Sequence, residues 1–193
     1  MIRCMISAAV FALILLDVAS AQGCDFPPKG FLEEPRVKFE GLYRNPSYGY
    51  SVVIPRAVAG FDNPNAAKHD GFGIAIGQKA ESYILVQAEP NSSDDSAPTD
   101  SAFRILKYMR EQKKRILTLR MGRARLDSLD AVEIVVTYAC PGSPDQYRMA
   151  AVLALGPDQS PVYELALYTS ASRYSEDRLI FDEVVKSWKY TGY

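Results

Sequence analysis

The most constraining part of this sequence lies between Ala131 and Thr169, where three apolar segments follow one another with only turn-sized gaps. "AVEIVVTYA" (131–139), "QYRMAAVLAL" (146–155) and "VYELALYT" (162–169) are separated by "CPGSPD" and "GPDQSP". Gly, Pro, Ser and Asp fill those gaps, and each breaks regular structure or pre-sets a turn. Gaps this short join antiparallel neighbours, so the span predicts a three-strand meander. In the third segment Tyr163, Leu165 and Leu167 alternate with Glu164 and Ala166, the period of a strand. The first is apolar almost throughout, as suits a strand covered on both faces.

Upstream, "NPSYGYSVVIP" (45–55) alternates Tyr48, Tyr50, Val52 and Ile54 with Gly49, Ser51 and Val53 until Pro55 removes a pairing donor. "GFGIAIG" (71–77) and "SYILVQAE" (82–89) read as a hairpin, and the turn-rich acidic stretch 90–100 reads as a surface loop. A helix is predicted over "SAFRILKYMREQKKRILTL" (101–119), capped by Asp100. Ala102, Ile105, Leu106, Met109, Gln112, Ile116 and Leu117 share one arc, while Arg104, Lys107, Arg110, Glu111, Lys114 and Arg115 lie on the other. The closing segment "SEDRLIFDEVVKSWKY" (175–190) predicts a second helix, with Ser175 as N-cap and an apolar stripe of Phe181, Val184, Val185 and Trp188. The expected class is α+β, an antiparallel sheet of about six or seven strands with two packed amphipathic helices.

The amino terminus sets which residues count. Met5–Leu16 is an apolar run too short for a bilayer span, and Ala19 and Ala21 are the small residues a signal peptidase accepts. Residues 1–21 therefore read as a signal peptide, 22–44 as an amino-terminal arm and 45–193 as one domain. Export to a periplasmic or extracellular space follows, with no membrane span expected in the mature chain. Of three cysteines, Cys4 leaves with the signal. In an oxidising compartment the remaining pair, Cys24 and Cys140, most simply forms a disulfide, worth about 4 to 5 kcal/mol for so long a loop before strain. "AQGC" also admits a lipoprotein reading in which Cys24 is acylated.

Residues that carry chemistry are sparse. His69 is the single histidine, which excludes a multi-imidazole metal site, and neither HExxH nor CxxC occurs. No serine sits in a Gly-flanked elbow, the glycines of "GFGIAIG" lack phosphate-binding spacing, and "NSSDD" lacks the EF-hand pattern. Catalysis would fall to His69 or to paired carboxylates, whose separation sequence does not give. No cofactor is expected. Asn91 heads a formal glycosylation sequon.

The net charge of −1 gives no global affinity for nucleic acid, yet nine Lys or Arg residues stand against the single Glu111 between Ser101 and Arg125. Arg104, Lys107, Arg110, Lys114 and Arg115 form either a solvated face or a surface for an anionic partner. Nucleic acid is disfavoured, because no stacking aromatics interleave with the basic residues.

The "YRNPSYGYSVVIP" strand with Gly49, Tyr50 and Pro55, the hairpin, long helix and meander, and a closing "KSW" at Ser187 and Trp188 together resemble the PsbP-like fold. That family includes the extrinsic PsbP protein of photosystem II and DcrB-type bacterial envelope proteins. The similarity spans nearly all of the mature chain, although "RAVAGF" stands where relatives often carry a tryptophan after Pro55. Members are mostly non-enzymatic binding or assembly factors, and the resemblance implies that role here, with an unknown protein or an anionic surface as partner. The alternatives are a secreted hydrolase using carboxylates or His69, and an envelope protein lipid-anchored through Cys24.

Overall fold

The computed structural model describes residues 38–62, 70–77, 81–112 and 114–192. The segment read as a signal peptide, Cys24 and His69 lie outside the described residues. In chain order the strands are β1 (Lys38–Phe39), β2 (Gly41–Asn45), β3 (Tyr50–Ile54), β4 (Ala59–Asp62), β5 (Asp70–Ile76) and β6 (Ser82–Glu89). Helix α1 (Pro98–Glu111) follows, then β7 (Arg115–Leu126), β8 (Leu129–Ala139), β9 (Gln146–Leu155) and β10 (Val162–Ser170), helix α2 (Tyr174–Ser187) and β11 (Lys189–Tyr190). An antiparallel sheet of eight strands has the order β1-β4-β5-β6-β10-β9-β8-β7, and a smaller sheet of three has the order β11-β3-β2.

Strand alternation sorts the large sheet's side chains into two layers. On one face Val132, Ile134 and Val136 of β8, with Met149 and Leu153 of β9, receive Ala102, Leu106 and Met109 from α1. On the other, Phe72, Ile84, Val86, Leu165 and Leu167 meet Tyr50, Val52 and Ile54 of β3 and Phe181, Val184 and Trp188 at the end of α2. Each fully buried Leu, Ile or Phe contributes about 1.5–3 kcal/mol, so both layers hold their helices firmly. The result is a sandwich, helix on one side of the large sheet and helix plus small sheet on the other.

The residues that carried the PsbP-like resemblance converge in space. Trp188 is 1% exposed and stacks on Tyr50, with ring centroids 5.9 Å apart, while Tyr163 meets its edge at 5.0 Å. Tyr163 donates its hydroxyl hydrogen to the Tyr48 carbonyl at 2.6 Å. The Ser187 hydroxyl accepts from the Val53 N–H at 3.0 Å and lies 3.1 Å from the Val53 carbonyl, pinning β3 to the end of α2. Gly49, at φ 59° in the β2–β3 turn, adopts the left-handed conformation that a side chain would strain. The Trp188 indole N–H is buried with no hydrogen-bond partner among the described residues.

Several expectations are corrected. The large sheet has eight strands against the expected six or seven, because β1 and β4 are only two and four residues long and leave no readable period, and β7 is hidden in the helical reading. Strands begin at Lys38, within the stretch read as an arm, and Tyr48 and Gly49 belong to the turn preceding β3. The largest correction falls on 101–119: α1 ends at Glu111, and Arg115–Leu126 pairs with β8 as a strand bulged between Ile116 and Thr118. Ile116, Leu117, Lys114 and Arg115 therefore share no helix face with Arg104 or Arg110. Local helix propensity is worth tenths of a kcal/mol per residue and yields to the long hairpin ladder that β7 forms with β8.

Caps also move. Ala97 is the N-cap of α1 and Pro98 opens it, while Asp100 in the first turn reaches back to accept the N–H groups of Ser96 and Ala97, each at 3.0 Å. The Ser96 hydroxyl and these two N–H groups hold the Asp100 carboxyl below its ordinary range. In α2 the N-cap is Arg173 and not Ser175.

Candidate functional site

Helix α1 lies over β8 and β9 and leaves β10 and β6 to one side, opening a cleft of about 400 Å³ between helix and sheet. Its wall is the stripe Ser101, Arg104, Ile105, Tyr108 and Met109, the i, i+3, i+4, i+7, i+8 spacing of one helix face. Its floor comes from alternate residues of three neighbouring strands: Leu85, Gln87 and Glu89 of β6, Val162, Glu164 and Tyr168 of β10, and Met149 and Leu153 of β9. Register fixes their rows. Gln87 and Leu153 flank Glu164, and two residues along the strand Leu85 and Ala151 flank Ala166.

Glu164 is the ionisable group at the centre of the floor. The Gln87 amide donates to it at 2.8 Å. Burial pushes its carboxyl up to about 7, assisted by the charge of Glu89 and opposed by the Gln87 hydrogen bond and by Arg104. Arg104 is already engaged: it meets Asp95 at 2.8 Å and Glu89 at 3.7 Å. Asp95 itself is buried and accepts from the Ser101 hydroxyl, so α1 is moored to the loop before it. At the far end, burial lowers the Lys114 ammonium, whose Nζ lies 5.3 Å from the centre of the Tyr138 ring. Burial likewise raises the Tyr168 and Tyr83 phenols, which keeps them neutral donors.

The five basic residues grouped by sequence are dispersed by the fold. Arg104 and Lys114 line the cleft, Lys107 and Arg110 project from the exposed side of α1, and Arg115 opens β7. Lys107 faces Glu111 at 4.0 Å. Strand β7 gathers a different basic set on the outer edge of the large sheet: Arg115, Arg120, Arg123 and Arg125 are exposed, beside Leu117 at 37% and Leu119 at 45%. Arg120 and Arg125 have carboxylate neighbours in Glu133 at 3.9 Å and Asp130 at 3.2 Å. Arg115 and Arg123 have none among the described residues.

Cys140 is buried at 6% exposure, just beyond β8 and beneath the α1 layer. Asn91 spends its side chain on structure, donating to the carbonyls of Asp95 at 2.8 Å and Gln159 at 2.7 Å and accepting the Asp95 N–H at 2.9 Å. A glycan on that amide nitrogen would replace one of its two hydrogens, so at least one of these donations would be lost. Among the described residues no group of three or more His, Cys, Asp or Glu side chains could hold a metal ion. No helix among them is long and apolar enough to cross a membrane.

No protein-family model matches the chain, and no curated protein matches it. Among solved structures, the solution structure of cyanobacterial PsbP (CyanoP) from Synechocystis sp. PCC 6803 aligns with a TM-score of 0.52 at 15% identity, covering 79% of this chain and 94% of that one. The fold is PsbP-like. At so low an identity the likeness speaks for the backbone, and the cleft residues stand on their own geometry.

Sequence reasoning missed Glu164, Gln87, Glu89 and Tyr168 as a group. The one local signal was Glu164 itself, an acid inside the otherwise apolar "VYELALY". Its partner Gln87 lies 77 positions away, and only the β6–β10 pairing joins them.

Proposed function

We propose that this chain is exported and acts without catalysis as a binding or assembly protein, docking an acidic protein partner along the outer edge of β7, which pairs with no strand but β8 among the described residues. The observation that carries the reading is β7 itself, a 12-residue strand at the end of the large sheet with four exposed arginines and two exposed leucines. Unpaired edge N–H and C=O groups are a template for an incoming strand, and the arginines select its charge. The same arginines repel a second β7, which guards against pairing between copies. Export is supported by the apolar run Met5–Leu16 with Ala19 and Ala21, and the PsbP-like fold agrees with a binding role. A disulfide between Cys24 and Cys140 belongs to the reading, supported by the even pair that remains after the signal segment and by the burial of Cys140.

The test is charge reversal. The partner captured from the native envelope or medium should bind the mature chain at low salt, fall away at high salt, and be lost with Arg115→Glu plus Arg123→Glu while Lys107→Glu is tolerated. Equal capture by the doubly reversed chain would reject the β7 edge.

A second reading is favoured by one observation: two carboxylates, Glu89 and Glu164, line a single cleft, and Glu164 holds its proton to about pH 7. A hydrolase would use Glu164 as the acid. Turnover of a chromogenic glycoside that disappears in Glu164→Gln would establish it.

A further inference from the structure

The cleft under α1 is amphipathic along its length. Its polar end is the row Gln87, Glu164, with Glu89 one step beyond. Its apolar run continues through Leu85 toward Met149, beside Tyr168, about 13 Å from Glu164 at the usual strand rise. Ile105 and Met109 of α1 cover the same run from above.

Charge decides what the polar end accepts. Arg104, the cation nearest Glu164, is held by Asp95 and Glu89. Lys114 lies at the other end against Tyr138. Glu164 has a single amide donor from Gln87 and no ion-pair partner among the described residues. A desolvated carboxylate so placed gains most from a cation carried in by a ligand.

We propose that the cleft between α1 and strands β6, β10 and β9 binds a small amphipathic amine, its ammonium on the Glu164 carboxylate and its hydrocarbon body along Leu85, Ile105 and Met149. At the Glu164 end a ligand anion is disfavoured, because it would face the Glu164 and Glu89 carboxyls and would have to break the Arg104 pairs to gain a partner there. The volume of about 400 Å³ is that of a small-molecule site. None of these residues lies on β7, so the site stands apart from the docking edge.

Protonation links to occupancy. The groups facing Glu164 are Gln87 and Glu89 from β6, Tyr168 from β10 and Arg104 and Tyr108 from α1, with Lys114 at the cleft's end. Glu164 itself changes charge near neutral pH, since burial pushes it up to about 7. An ammonium favours its ionised form, so amine binding should release a proton and tighten as pH rises through 7.

Titration calorimetry of the mature chain with n-octylamine, n-octanol and n-octanoate at pH 8 tests this. The amine is expected to bind most tightly, to weaken as the pH is lowered to 6, and to lose about tenfold or more in affinity with Glu164→Gln. Ile105→Trp, which fills the cleft without touching the carboxylate, should abolish binding in a chain shown to be folded by circular dichroism. Octanoate or octanol matching the amine, an unchanged affinity in Glu164→Gln, or no heat with the amine at any pH would overturn the proposal.

Discussion

Glu164 leaves a signature in stability as well as in binding. Its carboxyl is pushed up to about 7 from an ordinary value of 4.5, so between those values the folded chain holds a proton that the unfolded chain releases. Stability from this group is full below about pH 4.5 and is lost as pH rises through about 7. Replacing Glu164 with Gln should flatten that part of the profile and raise stability at pH 8 by about 1–3 kcal/mol, read as a higher melting temperature at pH 8 and little change at pH 4.5. Asp177 makes the opposite case: it is 1% exposed, accepts from the hydroxyls of Ser82 and Thr169, and meets Arg173 at 3.2 Å. Its carboxylate is satisfied from three directions, and Asp177→Ala would take the charged acceptor from two buried hydroxyls, leaving Ser82 only Thr169 Oγ1 and Thr169 only the longer contact to the Ser170 carbonyl. A cost of about 2–4 kcal/mol is expected in urea unfolding, with no change in the amine affinity of the cleft.

At the scale of elements, the join between β3 and the end of α2 holds the small sheet against the large one. Ser187→Ala removes the hydroxyl that meets both backbone groups of Val53 and should cost about 1 kcal/mol. Trp188→Ala empties the space between Tyr50 and Tyr163 and should cost about 3–5 kcal/mol, whereas Trp188→Phe, which also removes an unpartnered N–H, should cost far less. Thermal denaturation of the three variants orders these effects. The same join shows how legible the elements were. Tyr50, Val52, Ile54, Phe181, Val184 and Trp188 all announce themselves by period, and all are buried. The meander is also readable, since "CPGSPD" and "GPDQSP" break the chain where β8, β9 and β10 end and begin. Between Gln112 and Arg115 no Gly or Pro marks a break, so helix and strand run together in sequence, and only the ladder with β8 separates them. The cleft was less legible than the core for the same reason. Its wall comes from α1 and its floor from strands paired across large separations, so no local period brings Arg104, Gln87 and Glu164 together.

At the scale of the whole molecule, the fold is a sandwich with a cleft on one helix-covered face and a basic edge at one end of its large sheet. The covalent state of the amino-terminal arm is a separate question with its own readout. Intact mass of the native mature chain should rise by two hydrogens on reduction, and Cys24→Ser should lower stability by about 2–5 kcal/mol. A lipid mass retained on Cys24 after reduction would replace the disulfide with an anchor. The central claim, that β7 is where a partner docks, is tested most directly by placing a photo-crosslinking residue at Leu119 on β7 and, as control, at the still more exposed Leu179 on α2. A salt-sensitive adduct to an acidic protein is expected from position 119 and none from position 179. The same adduct from both positions, or only from 179, would contradict that claim.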